Sequence, residues 1–135
     1  MSDCLFCRIV AGEVPSRQVY ADDQAVAFLD IGPWHDGHTL VVPRRHVRDL
    51  IADPSAWGDV AAAVEAVVPL LVERLGAEGM NVVLNSGEVS GQEVPHLHVH
   101  LVPRYASAPG MAALLARDAS VDLDELHQRL TGEGR

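Results

Sequence analysis

Basic residues are scarce. Lys and Arg together number 10 against 19 Asp and Glu, a formal charge of −9 with histidine neutral. A surface that neutralises a nucleic-acid backbone or clings to anionic lipid is therefore not expected, although a small anionic substrate needs only a local patch. Long apolar runs are also missing: the richest stretch, Val60–Val72, carries Glu65 and Pro69, short of the roughly 20 residues a bilayer span requires. The opening MSDCLFCRIV lacks the basic start and long apolar block of a signal peptide, so a cytoplasmic location is expected. Only two cysteines occur, too few for a disulfide framework, and a single domain of 135 residues can bury a core without one. The 48% hydrophobic and 21% charged residues exclude a disordered chain.

Organisation is read from periodicity. A short helix is expected near Leu5–Ala11, ended by Gly12, and a hairpin from Val19–Ala21 and Ala25–Leu29 around Asp22-Asp23. His38–Val42 reads as a third strand. Asp53-Pro54-Ser55 starts a helix whose stripe is Val60, Val64, Val67, Val68, Leu71 and Leu75, stopped by Gly76; Pro69 should kink or restart it. Met80–Leu84 and Pro95–Val102 complete the strands, with a short terminal helix around Leu123–Leu130. Hairpin-like connections outnumber strand–helix–strand crossovers, which predicts an α+β fold with a mostly antiparallel sheet and a helix across one face.

The chemistry concentrates in two places. Cys4 and Cys7 form a Cys-x-x-Cys pair, which in an intracellular chain points to metal or redox use; no βαβ unit precedes it, against a thioredoxin-like role. In Pro95–Val102 (PHLHVHLV), His96, His98 and His100 alternate with Leu97, Val99 and Leu101. A strand's period of two puts the three imidazoles on one face and the three aliphatics on the other. Such a face can ligate a metal, as three nitrogens do in catalytic zinc sites. Alternatively, one imidazole attacks phosphorus, since histidine is largely neutral at working pH and a phosphoramidate is easily hydrolysed. The loop Ser90-Gly91-Gln92 can offer backbone N–H groups to the anion.

His96-Leu97-His98-Val99-His100-Leu101-Val102 resembles the signature of the histidine-triad (HIT) superfamily of nucleotide hydrolases and transferases. Cys4–Val10, Phe28–Ile31, Gly37–Val47, Asn85-Ser86-Gly87 and Gly91–Val94 resemble its other conserved-order segments, so motifs cover residues 1–105 and leave 106–135 variable within one domain, 1–135. The resemblance implies a HIT-like fold: a five-stranded antiparallel sheet with helices alongside, two sheets joining in a homodimer. It implies a purine nucleotide substrate and, in the Hint-like branch, hydrolysis of nucleoside 5′-phosphoramidates of AMP or GMP type. A dinucleoside polyphosphate hydrolase and a nucleotide- or zinc-binding module without turnover are the alternatives.

Motif by motif, the resemblance implies that His98 attacks the α-phosphorus, oriented by the backbone carbonyl of His96. His100, Asn85, the Gly91-Gln92 backbone and the Gln92 side chain are implied at the phosphate, and Asp30 and Ile31 at the nucleoside. Cys4, Cys7, His46 and His96 match a structural zinc site, one ion per subunit, with a closed tetrahedral shell. Glu93 departs from the Ser or Thr of many Hint-like members, and an effect on leaving-group preference, toward a cationic amine, is expected there. His38 fits either a network around the triad or an ordinary strand. His35 and His127 are expected at a solvated surface, Arg44 and Arg45 are not expected to clamp phosphate, and Trp34 and Trp57 are expected to pack.

Overall fold

The computed structural model describes residues 3–115 and 119–132; the ends of the expected domain, 1–2 and 133–135, lie outside the described residues, as do 116–118. Helix α1 (Leu5–Val10) leads into strands β1 (Gln18–Ala21), β2 (Ala25–Leu29) and β3 (Thr39–Pro43). Helix α2 (Trp57–Leu75) crosses to β4 (Gly79–Leu84), the chain returns as β5 (Val99–Arg104), and α3 (Leu123–Thr131) follows. The sheet order is β1-β2-β3-β5-β4, and every neighbouring pair is antiparallel. The expected α+β architecture is thus the one observed.

The sheet is covered on both faces, and strand alternation decides which side chain goes where. Ala25, Ala27, Leu29, Val41, Leu97, Val99 and Leu101 meet Val60, Ala63, Val67 and Leu71 of α2 and Leu126 and Leu130 of α3. On the opposite face Val26, Phe28, Leu40 and Val42 pack against Phe6 of α1. By length and composition Pro54–Leu75 is apolar enough to cross a membrane. Val60, Ala63, Val67 and Leu71 are its buried side chains.

Most element ends fall within a residue of expectation; α2 and β5 depart from it further. α2 runs through Pro69 without interruption. Pro69 is exposed, so the backbone carbonyl one turn earlier, which loses its N–H partner, can turn to water. β5 begins at Val99 rather than Pro95: the Leu97 N–H bonds the Val47 carbonyl at 2.7 Å, outside the β3 ladder. His96 and His98 therefore lie on a bent segment leading into the strand, although the alternation of faces persists through it.

Gly37, just before β3, has φ +86°, and a Cβ there would stand 2.5 Å from Leu75 Cδ1 and 3.1 Å from Pro103 Cγ. Left-handed strain and a clash with the last turn of α2 combine. Gly37→Ala is expected to destabilise the fold by about 2–4 kcal/mol in urea titration. Adding Leu75→Ala should recover the steric part of that loss but not the conformational part.

Candidate active site and metal centre

The histidine face opens on a cleft of about 610 Å³, a volume suited to a small molecule. Its apolar wall is Leu5, Phe6 and Ile9 of α1 with Phe28, Ile31 and Leu40; its polar groups include Asp30, Asn85, Gly91, Glu93, His98 and His100. The sequence segments 28–31, 85–93 and 98–100, far apart along the chain, are brought to one hollow because β2 and β5 flank β3.

His98 is 5% exposed. Its Nδ1 lies 2.9 Å from the backbone carbonyl of His96, so Nδ1 carries the proton and donates, leaving Nε2 with a lone pair. Burial pushes the imidazole below its ordinary range; the bond to the His96 carbonyl and the carboxylates of Asp30 and Glu93 oppose this. Phe6 stands edge-on at 5.1 Å between ring centroids, closing one side.

A chain of hydrogen bonds fixes the next histidine. The Trp34 backbone N–H donates to His38 Nδ1 at 3.0 Å, so the His38 proton sits on Nε2. That nitrogen is 2.9 Å from His100 Nδ1 and must be the donor, which places the His100 proton on its Nε2. Trp34 stacks on His100 with centroids 4.8 Å apart and planes 14° from parallel. His38 therefore belongs to the network. Asp30, His38 and His100 are close enough together to be considered as metal ligands. A proton between the two imidazoles makes them a poor pair for one cation.

Gln92 has a different employment from the phosphate contact expected of its side chain. Its Nε2 donates to the carbonyls of Arg48 at 2.7 Å and Val94 at 3.0 Å, and its Oε1 accepts from Gly87 N at 2.8 Å. The buried carboxamide is saturated by backbone, so it shapes the 87–92 loop from within. Gly91, with φ +112°, and Asn85 face the cleft. Ile31 does as well, and Asp30 anchors the turn after β2 by accepting from Gly32 N at 2.8 Å.

The second constellation lies behind the first. Cys4 Sγ is 3.3 Å from His96 Nδ1, Cys7 Sγ is 3.3 Å from His46 Nδ1 and 3.4 Å from His96 Nδ1, and the two Nδ1 atoms are 3.3 Å apart. All four donors lie within 4.8 Å of one another. Zinc bonds of about 2.3 Å to sulfur and about 2.05 Å to nitrogen give tetrahedral edges of roughly 3.6 Å for S···N and 3.4 Å for N···N. The observed separations match within a few tenths of an ångström. His96 Nε2 donates to the Pro43 carbonyl at 2.9 Å, which turns Nδ1 and its lone pair toward the other donors, the usual outer partner of a ligating histidine. The residues fit a zinc ion.

The remaining charges and rings were only partly anticipated. Arg45 pairs with Asp53 at 3.0 Å and Asp59 at 2.8 Å, and Arg44 Nε donates to the Asp22 carbonyl, so neither clamps an anion. His35 and His127 are not merely solvated: their Nε2 atoms donate to the carbonyls of Ala113 at 2.7 Å and Gln18 at 2.8 Å, tying the C-terminal segment to the sheet. Trp34 stacks on His100 and Phe6 stands against His98, contacts no local pattern in the sequence signals.

A family model described as HIT domain matches residues 11–107. An uncharacterized HIT-like protein of Methanocaldococcus jannaschii is 40% identical over 131 residues, covering 96% of this chain and 99% of its own. Arabidopsis thaliana adenylylsulfatase HINT3 is 34% identical, covering 92% of this chain and 64% of its own. The crystal structure of a Zn-bound histidine triad family protein from Mycobacterium smegmatis superposes with a TM-score of 0.83 at 35% identity, covering 96% of this chain and 91% of that one.

Proposed function

Because the chain belongs to the HIT domain family, we propose that it hydrolyses adducts of nucleoside 5′-monophosphates, phosphoramidates of AMP or GMP type, through a nucleotidyl group carried on His98. The observation that supports this above all is the tautomer of His98: a buried, uncharged imidazole, held through Nδ1, presents Nε2 to the cleft. A binding module without turnover needs no such nucleophile. The similarity to an adenylylsulfatase supports an adenylyl group as the portion transferred.

The purine lies against the apolar wall of α1, Phe28 and Leu40, and the ribose near Asp30 and Ile31. Nε2 of His98 attacks the α-phosphorus. The P–N bond to the leaving amine breaks, its electron pair stays on nitrogen, and that nitrogen takes up a proton. His100, whose proton is on Nε2 through the Trp34–His38 chain, donates a hydrogen bond at the phosphate, as do Asn85 and the backbone around Gly91. Water then cleaves the N–P bond, releasing the nucleoside monophosphate and restoring His98. The sum is adduct plus water giving monophosphate plus amine.

Cys4, Cys7, His46 and His96 would hold a zinc ion that supplies a closed structural anchor for α1 and His96 and no position for substrate. A homodimer joined through its sheets is part of this proposal.

The test is chemical. Acid-free quenching of the protein mixed with an adenosine phosphoramidate, followed by digestion and mass spectrometry, is expected to find an AMP adduct on the peptide containing His98. Turnover with no adduct under single-turnover conditions, or an adduct on another residue, overturns the assignment.

A further inference from the structure

Glu93 stands in the cleft wall with Asn85, Gly91, His98 and His100, and among the described residues no hydrogen bond or ion pair engages its carboxylate. Its backbone is nonetheless held from both sides, while the side chain is exposed. On one side Gln92 is clamped by three backbone groups, and on the other Val94 packs against the Phe6 and Phe28 cluster. The other charged residues lining the cleft are Arg17 and Asp30. Arg17 is engaged, its Nε donating to Asp124 of α3 at 2.9 Å, and Asp30 adds a second negative charge, 3.6 Å from His38 Nε2. The cleft thus presents two carboxylates and, among the described residues, no unengaged cation.

A nucleoside phosphoramidate carries one negative charge at the phosphate, offset here by N–H donors rather than by Arg or Lys. A leaving group with its own positive charge is attracted by both that phosphate and Glu93, whereas a polyphosphate leaving group adds several negative charges beside the Glu93 carboxylate. We propose that Glu93 is a specificity-determining residue of this site, selecting amine leaving groups that bear a second, cationic group and discriminating against polyphosphates. This inference rests on the hydrolytic reading given above. It separates the phosphoramidate reaction from dinucleoside polyphosphate cleavage by a charge that sits on this chain.

Three AMP phosphoramidates of equal length test it, formed with 1,4-diaminobutane, n-pentylamine and 5-aminopentanoate, so that the far end is cationic, neutral or anionic. The expected kcat/KM falls by about tenfold at each step of that series, shrinking as salt is raised. Glu93→Gln should compress the whole span to about threefold, and Glu93→Asp should keep the order. Thermal melting checks that each variant folds. A flat series in the wild type, or an unchanged series in Glu93→Gln, overturns the inference. If no adduct releases AMP, the hydrolytic reading fails, and the role of Glu93 is then judged by dissociation constants of the three adducts for His98→Ala protein. The same order, lost in the His98→Ala/Glu93→Gln double variant, supports it; equal constants overturn it.

Discussion

Replacing His98 by alanine is expected to lower turnover of an adenosine phosphoramidate by roughly 10⁴–10⁶-fold, the range seen when a covalent nucleophile is removed, while AMP affinity changes by no more than a few fold. The asymmetry follows from the geometry. Among the described residues the ring makes one hydrogen bond, at 2.9 Å to the His96 carbonyl in the segment that leads into β5, and its rim is packed by Phe6, so its removal leaves the cleft walls standing. Asn85, Gly91, His100 and the apolar wall of the cleft are left in place. A variant that keeps more than about a hundredth of wild-type turnover would overturn His98 as the nucleophile, since loss of general acid–base assistance alone typically costs 10²–10⁴-fold. Loss of AMP binding in parallel with turnover would instead make His98 a structural residue.

The second large effect concerns the four-residue centre behind the cleft. Protein purified without chelator is expected to contain one zinc per chain, and stripping it, or replacing Cys7 by serine, should lower the melting temperature by roughly 10–20 °C. At about 3–5 °C per kcal/mol for a domain of this size, that corresponds to several kcal/mol, modest beside the full affinity of structural zinc sites. Two consequences are bound together. Cys4 caps α1, accepting from Cys7 N at 3.3 Å, and α1 carries Leu5, Phe6 and Ile9 into the cleft wall. His96 reaches the cluster by its ring and His98 by its carbonyl, so one residue spans both sites. Hydrogen exchange in the stripped protein should therefore rise first in residues 4–10 and 94–98. A protein that purifies with no metal under these conditions, melting as the untreated one does, would remove zinc from the account. Because the shell is closed by four protein ligands, folded, stripped protein is expected to keep measurable turnover; complete loss with the fold intact would favour a metal-dependent hydrolysis.

Much of this was legible in the sequence, for a physical reason. The alternation through residues 96–101 fixes faces wherever the backbone is extended, whether or not the ladder is formed, so the separation of His98 and His100 from Val99 and Leu101 needed no structure. The stripe of α2 and its stop at Gly76 are equally local, as is the Asp53 cap, which holds the short 3-10 turn Pro54–Ala56 ahead of α2 rather than α2 itself. Acidic balance, the Cys-x-x-Cys pair and the glycine-containing loop delimited the chemistry before any coordinates.

Tertiary structure decided what depends on distance between segments far apart in the chain. Only the folded sheet shows that His46 and His96 bring their Nδ1 atoms together at 3.3 Å, or that Trp34 sets the proton position of His100 through His38. It moved the Gln92 side chain from the phosphate into the loop's interior, and it placed Glu93 in the cleft wall with no partner for its carboxylate among the described residues. Residue type announces which hydrogen bonds a side chain can make; which of them it does make is settled by the backbone groups that packing delivers to it, and those come from elsewhere in the chain.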